Sequence, residues 1–172
     1  MKIHPTAIVD KKARLADDIE VGPYAIIGPN VEAAKGNVIG ARATVEGYTT
    51  LGEGNRIFTG AVIGSIPQDL KYKGKKSFLK IGKNNIIREY VTMNPGTEYG
   101  TITSVGDGNL FMAYSHVAHD CKIGNNCIIA NIGTLAGHVT LEDRVVLGGL
   151  AAVHQFTRVG KMAIIGGCSK VV

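Results

Sequence analysis

The sequence has no tryptophan, three cysteines and five prolines in 172 residues. Cys121, Cys127 and Cys168 are odd in number and follow no metal-ligand spacing, which argues against a disulfide framework or a structural metal site. They are predicted to be small buried thiols in a reducing compartment. Proline is scarce while glycine reaches 23 residues without a collagen period, so the backbone should turn often and at regular places. No apolar run reaches the roughly 18 residues that a membrane-spanning helix needs, and no charged-then-apolar leader opens the chain. These absences predict a cytoplasmic protein with no integral membrane contact. The net charge of +5 does not by itself indicate nucleic acid, although it suits acidic partners such as nucleotides or an acidic carrier protein.

What is present is a period of six. Stepping by six from Ile3 gives Val9, Leu15, Val21, Ile27, Ala33, Ile39, Val45, Leu51, Ile57 and Ile63, and the series continues from Ile81 to Val171. Only Asp69, Lys75 and Tyr99 interrupt it, in a chain that is 45% apolar. Six is not a helical period, and simple alternation would not single out every sixth residue. Short strands separated by bends fit: the aliphatic residue points inward, glycine often follows, and a small or β-branched residue comes four places later. Such hexads predict an all-β protein, a parallel β-helix. Two stretches break the pattern, about 66–80, polar and basic, and about 94–104, rich in turn residues. Both are predicted to leave the prism as loops.

Four of the histidines lie between His116 and His154. Were three hexads, 18 residues, to close one coil, His119, Gly137 and Gln155 would share one column, and Asp120, His138 and Phe156 the next. One edge then carries a histidine, an adjacent carboxylate, a glycine with an unencumbered amide and a second histidine. A base oriented by a carboxylate beside a backbone donor is what acyl transfer to a hydroxyl requires. On spacing alone, corner histidines of purely structural use remain the other reading. The basic first loop, with Lys71, Lys73, Lys75, Lys76 and Lys80, is either a solvated loop or a site for nucleotide phosphates or an acidic carrier. Neither Gly74-Lys75-Lys76-Ser77 nor Gly106-Asp107-Gly108 has the spacing of a nucleotide-binding fingerprint.

Val117-Ala118-His119-Asp120-Cys121, Leu135-Ala136-Gly137-His138-Val139, Ala152-Val153-His154-Gln155-Phe156 and Gly166-Gly167-Cys168-Ser169, with Gln68-Asp69-Leu70-Lys71-Tyr72, closely resemble the UDP-N-acetylglucosamine O-acyltransferases of lipid A synthesis. The resemblance runs from His4-Pro5-Thr6-Ala7 to the last residue. It implies a left-handed winding of about nine triangular coils, which periodicity does not supply, and a homotrimer with sites between subunits. It implies transfer of an (R)-3-hydroxyacyl group from the phosphopantetheine of acyl carrier protein to the glucosamine 3-hydroxyl of UDP-N-acetylglucosamine, with no metal and no further cofactor. His119 would be the general base, Asp120 its orienting partner and the Gly137 amide the oxyanion donor. Gln68, Asp69, Lys71, His116, His138, His154 and Gln155 would contact substrate or flank the base, with the basic loop reaching a neighbour's His119. Gly167 would set the length of the acyl groove and, having no side chain, favour a longer chain.

Two departures stand out. The family's Val-Thr-Ile-His-Arg-Gly-Thr is here Val91-Thr92-Met93-Asn94-Pro95-Gly96-Thr97, which leaves N-acetylglucosamine and a 3-amino analogue both open as acceptor. The family also continues past the equivalent of Val172 into a last coil and a helical domain, so residues 1–172 are expected to be the β-helix domain alone. Rival readings are a sugar N-acetyltransferase using acetyl-CoA, a zinc hydratase with His116, His119 and His138 as ligands, and a non-catalytic trimeric scaffold.

Overall fold

The computed structural model describes residues 1–172 and contains strands, turns and loops without a helix. Its 26 short strands form three parallel sheets of nine, nine and eight strands, which open with Lys2–Ile3, Ile8–Val9 and Arg14–Leu15 respectively. The chain visits the three sheets in turn, so each circuit adds one strand to every sheet. This is a parallel β-helix of triangular section. Most strands hold two residues, the first facing out and the second in, and the inward residues join a continuous core of 33 buried side chains. Each fully buried aliphatic contributes roughly 1.5–3 kcal/mol, so the stack is held by its interior rather than by any ligand.

The glycine directly after the inward residue permits close stacking of coils. A Cβ on Gly40 would lie 2.8 Å from the Ile57 carbonyl oxygen, the acceptor to which the Gly40 amide donates at 2.7 Å. At most corners a left-handed backbone residue falls two residues later, and it is more often not glycine. Tyr24, Arg42, Tyr114, Asp120, Ile132, His138, Leu150 and Phe156 all have φ between 56° and 65°. Side chains at this place are costly singly, and coil stacking holds them there.

The two loops are shorter than expected. Residues 64–77 and 94–101 leave the prism, but Phe78–Ile81 and Ile102–Val105 are four-residue strands aligned with Tyr48–Leu51. Buried Leu79 between Thr49 and Thr103 draws both loop ends into the third sheet. Paired residues are 18 apart in the regular coils, but Arg56 pairs with Ile86 and Ile86 with Leu110. The first loop therefore adds two hexads and the second adds one, which is why the period of six survives both interruptions.

Asn37, Asn55, Asn85 and Asn109 stack in the corner between the third and first sheets, all at most 1% exposed. Each side-chain oxygen accepts the backbone N–H of the next residue in the column, at 3.0, 2.9 and 2.9 Å, and Asn109 accepts from Cys127 at 2.7 Å. Asn85→Ala would orphan the Asn109 amides and remove one of the two donors to the Asn55 oxygen, and about 2–4 kcal/mol of destabilisation is expected in chemical denaturation. Cys121 and Cys127 are buried as predicted, and burial pushes the Cys121 thiol up to about 12. Cys168 is exposed, a correction: its left-handed corner backbone turns the side chain outward.

Candidate active site

The site lies on the edge between the second and third sheets, where both loops emerge. His119 and Asp120 follow the strand His116–Val117, and the turn sets Asp120 at φ 58°, its amide anchored to the Thr103 hydroxyl at 2.7 Å. The expected columns are present. The His138 amide donates to the His119 carbonyl, and the Phe156 amide donates to that of Gly137. The rings follow: His138 meets His119 edge-on at 5.2 Å and stacks on Phe156 at 4.7 Å.

His119 Nδ1 is 3.0 Å from Asp120 Oδ2, and its Nε2 is 3.5 Å from Asp69 Oδ2. Partial burial alone would raise the Asp120 carboxyl, but hydrogen bonds from His119, Thr97 and Thr101 outweigh it and hold the group below the usual carboxylate value. An ionised Asp120 can only accept, so His119 Nδ1 carries a proton toward it, and in the neutral ring Nε2 is then the acceptor. Gly137 lies against the other side of the imidazole, where an added Cβ would fall 2.4 Å from Cε1. The Gly137 amide donates to no backbone carbonyl. This freedom is a property of the turn, for Pro5, Pro23 and Pro29 stand at equivalent places.

The remaining candidates divide. Asp69 comes to His119 from the same chain. The register insertion of two hexads lets the loop fold back over its own edge. Gln68 and Lys71 are exposed beside Asp69, whose carboxylate accepts the Lys71 amide at 2.8 Å. His116 is half-buried, with Nδ1 2.7 Å from the Thr92 hydroxyl; burial and neighbouring His119 push its imidazole below the usual value, against the bond to Thr92. His154 and Gln155 are exposed one coil beyond Gly137. Gly167 lies on a different edge, in the column of Gly149, and can join the site of His119 only across subunits. A hollow of about 480 Å³ lies at the far end of the prism among Lys2, His4 and Gly40.

Sequence reasoning missed Thr97 and Thr103, because Thr97 sits in a loop outside the hexads. Asn94, where the family has histidine, is buried, and its amide donates to the Ser65 and Ile66 carbonyls at 3.0 and 3.3 Å. Donor atoms of His119, Asp120 and His138 lie within 4.8 Å of one another, the one grouping in which a metal ion could be imagined. His116 does not join it, and Asp120 Oδ2 is already engaged by His119 and by Thr97.

Residues 102–131 match the bacterial transferase hexapeptide (six repeats) family model. With the three-sheet coil, this defines a hexapeptide-repeat transferase fold, wound left-handed. The chain is 54% identical over 171 residues to the acyl-[acyl-carrier-protein]–UDP-N-acetylglucosamine O-acyltransferase of Sinorhizobium fredii, covering 99% of this chain and 63% of that protein. A crystal structure of a UDP-N-acetylglucosamine acyltransferase superposes with a TM-score of 0.97 at 48% identity, covering 99% of this chain and 66% of that one. The corresponding enzyme of Bacteroides fragilis gives 0.92 at 41%, covering 98% and 68%. The chain belongs to the UDP-N-acetylglucosamine acyltransferase family, and spans just under two thirds of the length of the Sinorhizobium relative.

Proposed function

We propose that this chain carries the site at which an (R)-3-hydroxyacyl group passes from acyl carrier protein to the glucosamine 3-hydroxyl of UDP-N-acetylglucosamine, the first step of lipid A synthesis. The observation that carries the reading is the His119–Asp120 pair at 3.0 Å with the free Gly137 amide against the ring. Asp120 keeps the Nδ1 proton in place, and Nε2 removes the proton of the sugar hydroxyl. The oxygen attacks the thioester carbonyl, and the oxyanion that forms faces the Gly137 amide. Collapse breaks the C–S bond, and His119 returns the proton to the departing thiolate. An ester and a free thiol result, with no net proton change and no cofactor. Asp69 supplies an acceptor for sugar hydroxyls, while Gln68, Lys71, His116, His138, His154 and Gln155 border the substrates.

The active form in this reading is a cytoplasmic homotrimer. Support comes from the outer face of the first sheet, where Ile86, Leu110, Ile128, Val146 and Ile164 make an apolar stripe beside the corner residues Tyr90, Tyr114, Ile132 and Leu150. The third sheet instead presents Arg14, Glu32, Lys80, Lys122 and Arg158 outward. No helix is long and apolar enough to cross a membrane.

The test is acyl transfer by the full chain from carrier proteins bearing graded 3-hydroxyacyl lengths, to UDP-N-acetylglucosamine and to its 3-amino analogue. Transfer to the former, with a preference for longer donors, is expected; acetyl transfer from acetyl-CoA alone would overturn the reading. Gly167 has no positive φ, and a Cβ there meets only Gly149, at 3.2 Å from its oxygen. Gly167→Met should therefore fold and shift the optimum toward shorter donors, by about fourfold in kcat/KM per methylene excluded. An unchanged length profile would remove Gly167 from the acyl groove.

A further inference from the structure

The loop at 94–101 is bonded to both ends of the first loop and to Asp120. Asn94 ties it to Ser65 and Ile66 at the root of the loop that carries Asp69. The Gly96 amide donates to the Phe78 carbonyl at 3.3 Å, and the Gly100 amide to that of Lys76 at 2.9 Å, so the far end of the first loop is held as well. Between these clamps lies Thr97, buried, with both its donors on one atom: its amide is 3.1 Å and its hydroxyl 2.7 Å from Asp120 Oδ2. Backbone and carboxylate are packed so closely that a Cβ on Gly96 would fall 2.7 Å from Asp120 Oδ1.

Asp120 has a competing partner. Its Oδ2 is 3.0 Å from Nδ1 of His119 but also 3.8 Å from Nε2 of His138 in the next coil. A small rotation of the carboxylate would exchange one histidine for the other, and only the pairing with His119 keeps a proton on its Nδ1 and so frees its Nε2 to accept one. We propose that Thr97 is a positioning residue that locks Asp120 onto His119 against His138, and so selects the His119 tautomer that can act as a base. The kinetic part of this inference rests on the acyl-transfer reading; the tautomer part does not.

Thr97→Val keeps shape and apolar packing and removes the hydroxyl donor while retaining the amide. Loss of one hydrogen bond to a charged group is expected to lower kcat about 10- to 100-fold with KM little changed, and Thr97→Ser should restore it. Nitrogen-15 NMR of the histidines gives a second readout that needs no substrate. Wild type should show His119 protonated on Nδ1, and Thr97→Val should show loss of that single tautomer together with a changed His138 signal. An unchanged tautomer in Thr97→Val overturns the inference, as does a loss confined to melting temperature. If the wild-type chain transfers no acyl group, the functional reading fails and the NMR result still decides the role of Thr97.

Discussion

His119→Ala is expected to lower kcat for acyl transfer by about 100- to 10,000-fold, the usual contribution of a general base. The side chain is 13% exposed and sits on the edge of the prism, outside the aliphatic core. The coil-to-coil bond at this position runs from the His138 amide to the His119 carbonyl, which alanine keeps. Melting temperature and oligomeric state should therefore remain those of the wild type while turnover is lost. Retained turnover would remove His119 from the chemistry and, with it, the assignment of Asp120 and Gly137. Measuring kcat and thermal unfolding on one preparation separates the outcomes.

Gly137→Ala should cost nearly as much by a different route. A Cβ at 137 would lie 2.4 Å from His119 Cε1 and 2.6 Å from Nε2, distances no carbon tolerates. The backbone there has no positive φ, and the atoms in conflict belong to a side chain, so the ring moves and the coil stays. Displacing a reacting group by about 1 Å can cost on the order of 100-fold, and a kcat loss of that size with near-normal stability is expected. Gly149 supplies the control, since it occupies the same place in its hexad on another edge. A Cβ there approaches nothing closer than the Asn131 oxygen at 3.5 Å, and Gly149→Ala should leave turnover unchanged. Equal activities of the two variants would refute the claim that Gly137 is glycine to make room for the imidazole.

The contrast between these glycines shows how far the hexads can be read. Columns follow from an 18-residue circuit, which the family resemblance supplied, and counting along it then placed His119 beneath Gly137 and Asp120 beneath His138. The same counting failed at the loops. Residues 78–80 and 102–104 fell inside the expected loops because their flanks are irregular, and only pairing with Tyr48–Leu51 extends the strands back from Ile81 and Val105. The asparagine column was equally hidden. A buried amide breaks the expectation of a small apolar corner residue until its partner, a backbone N–H one coil away, is known.

A six-residue repeat specifies which side chains face inward and, once three hexads are known to close a coil, which residues share an edge, because each two-residue strand and its bend consume a constant length of chain. That information is local, and it sufficed for the coil, the core and the His119–Gly137 column. What lay beyond it depends on segments outside the repeat: Asp69 returning to its own chain's histidine, Thr97 reaching Asp120, and Asn94 fastening one loop to the other. Loops carry no period, so their end points are set by the hydrogen bonds and contacts they find on the finished prism. Gly167 marks the same boundary at larger scale, since a residue on a different edge can enter the site of His119 only when one prism packs against another.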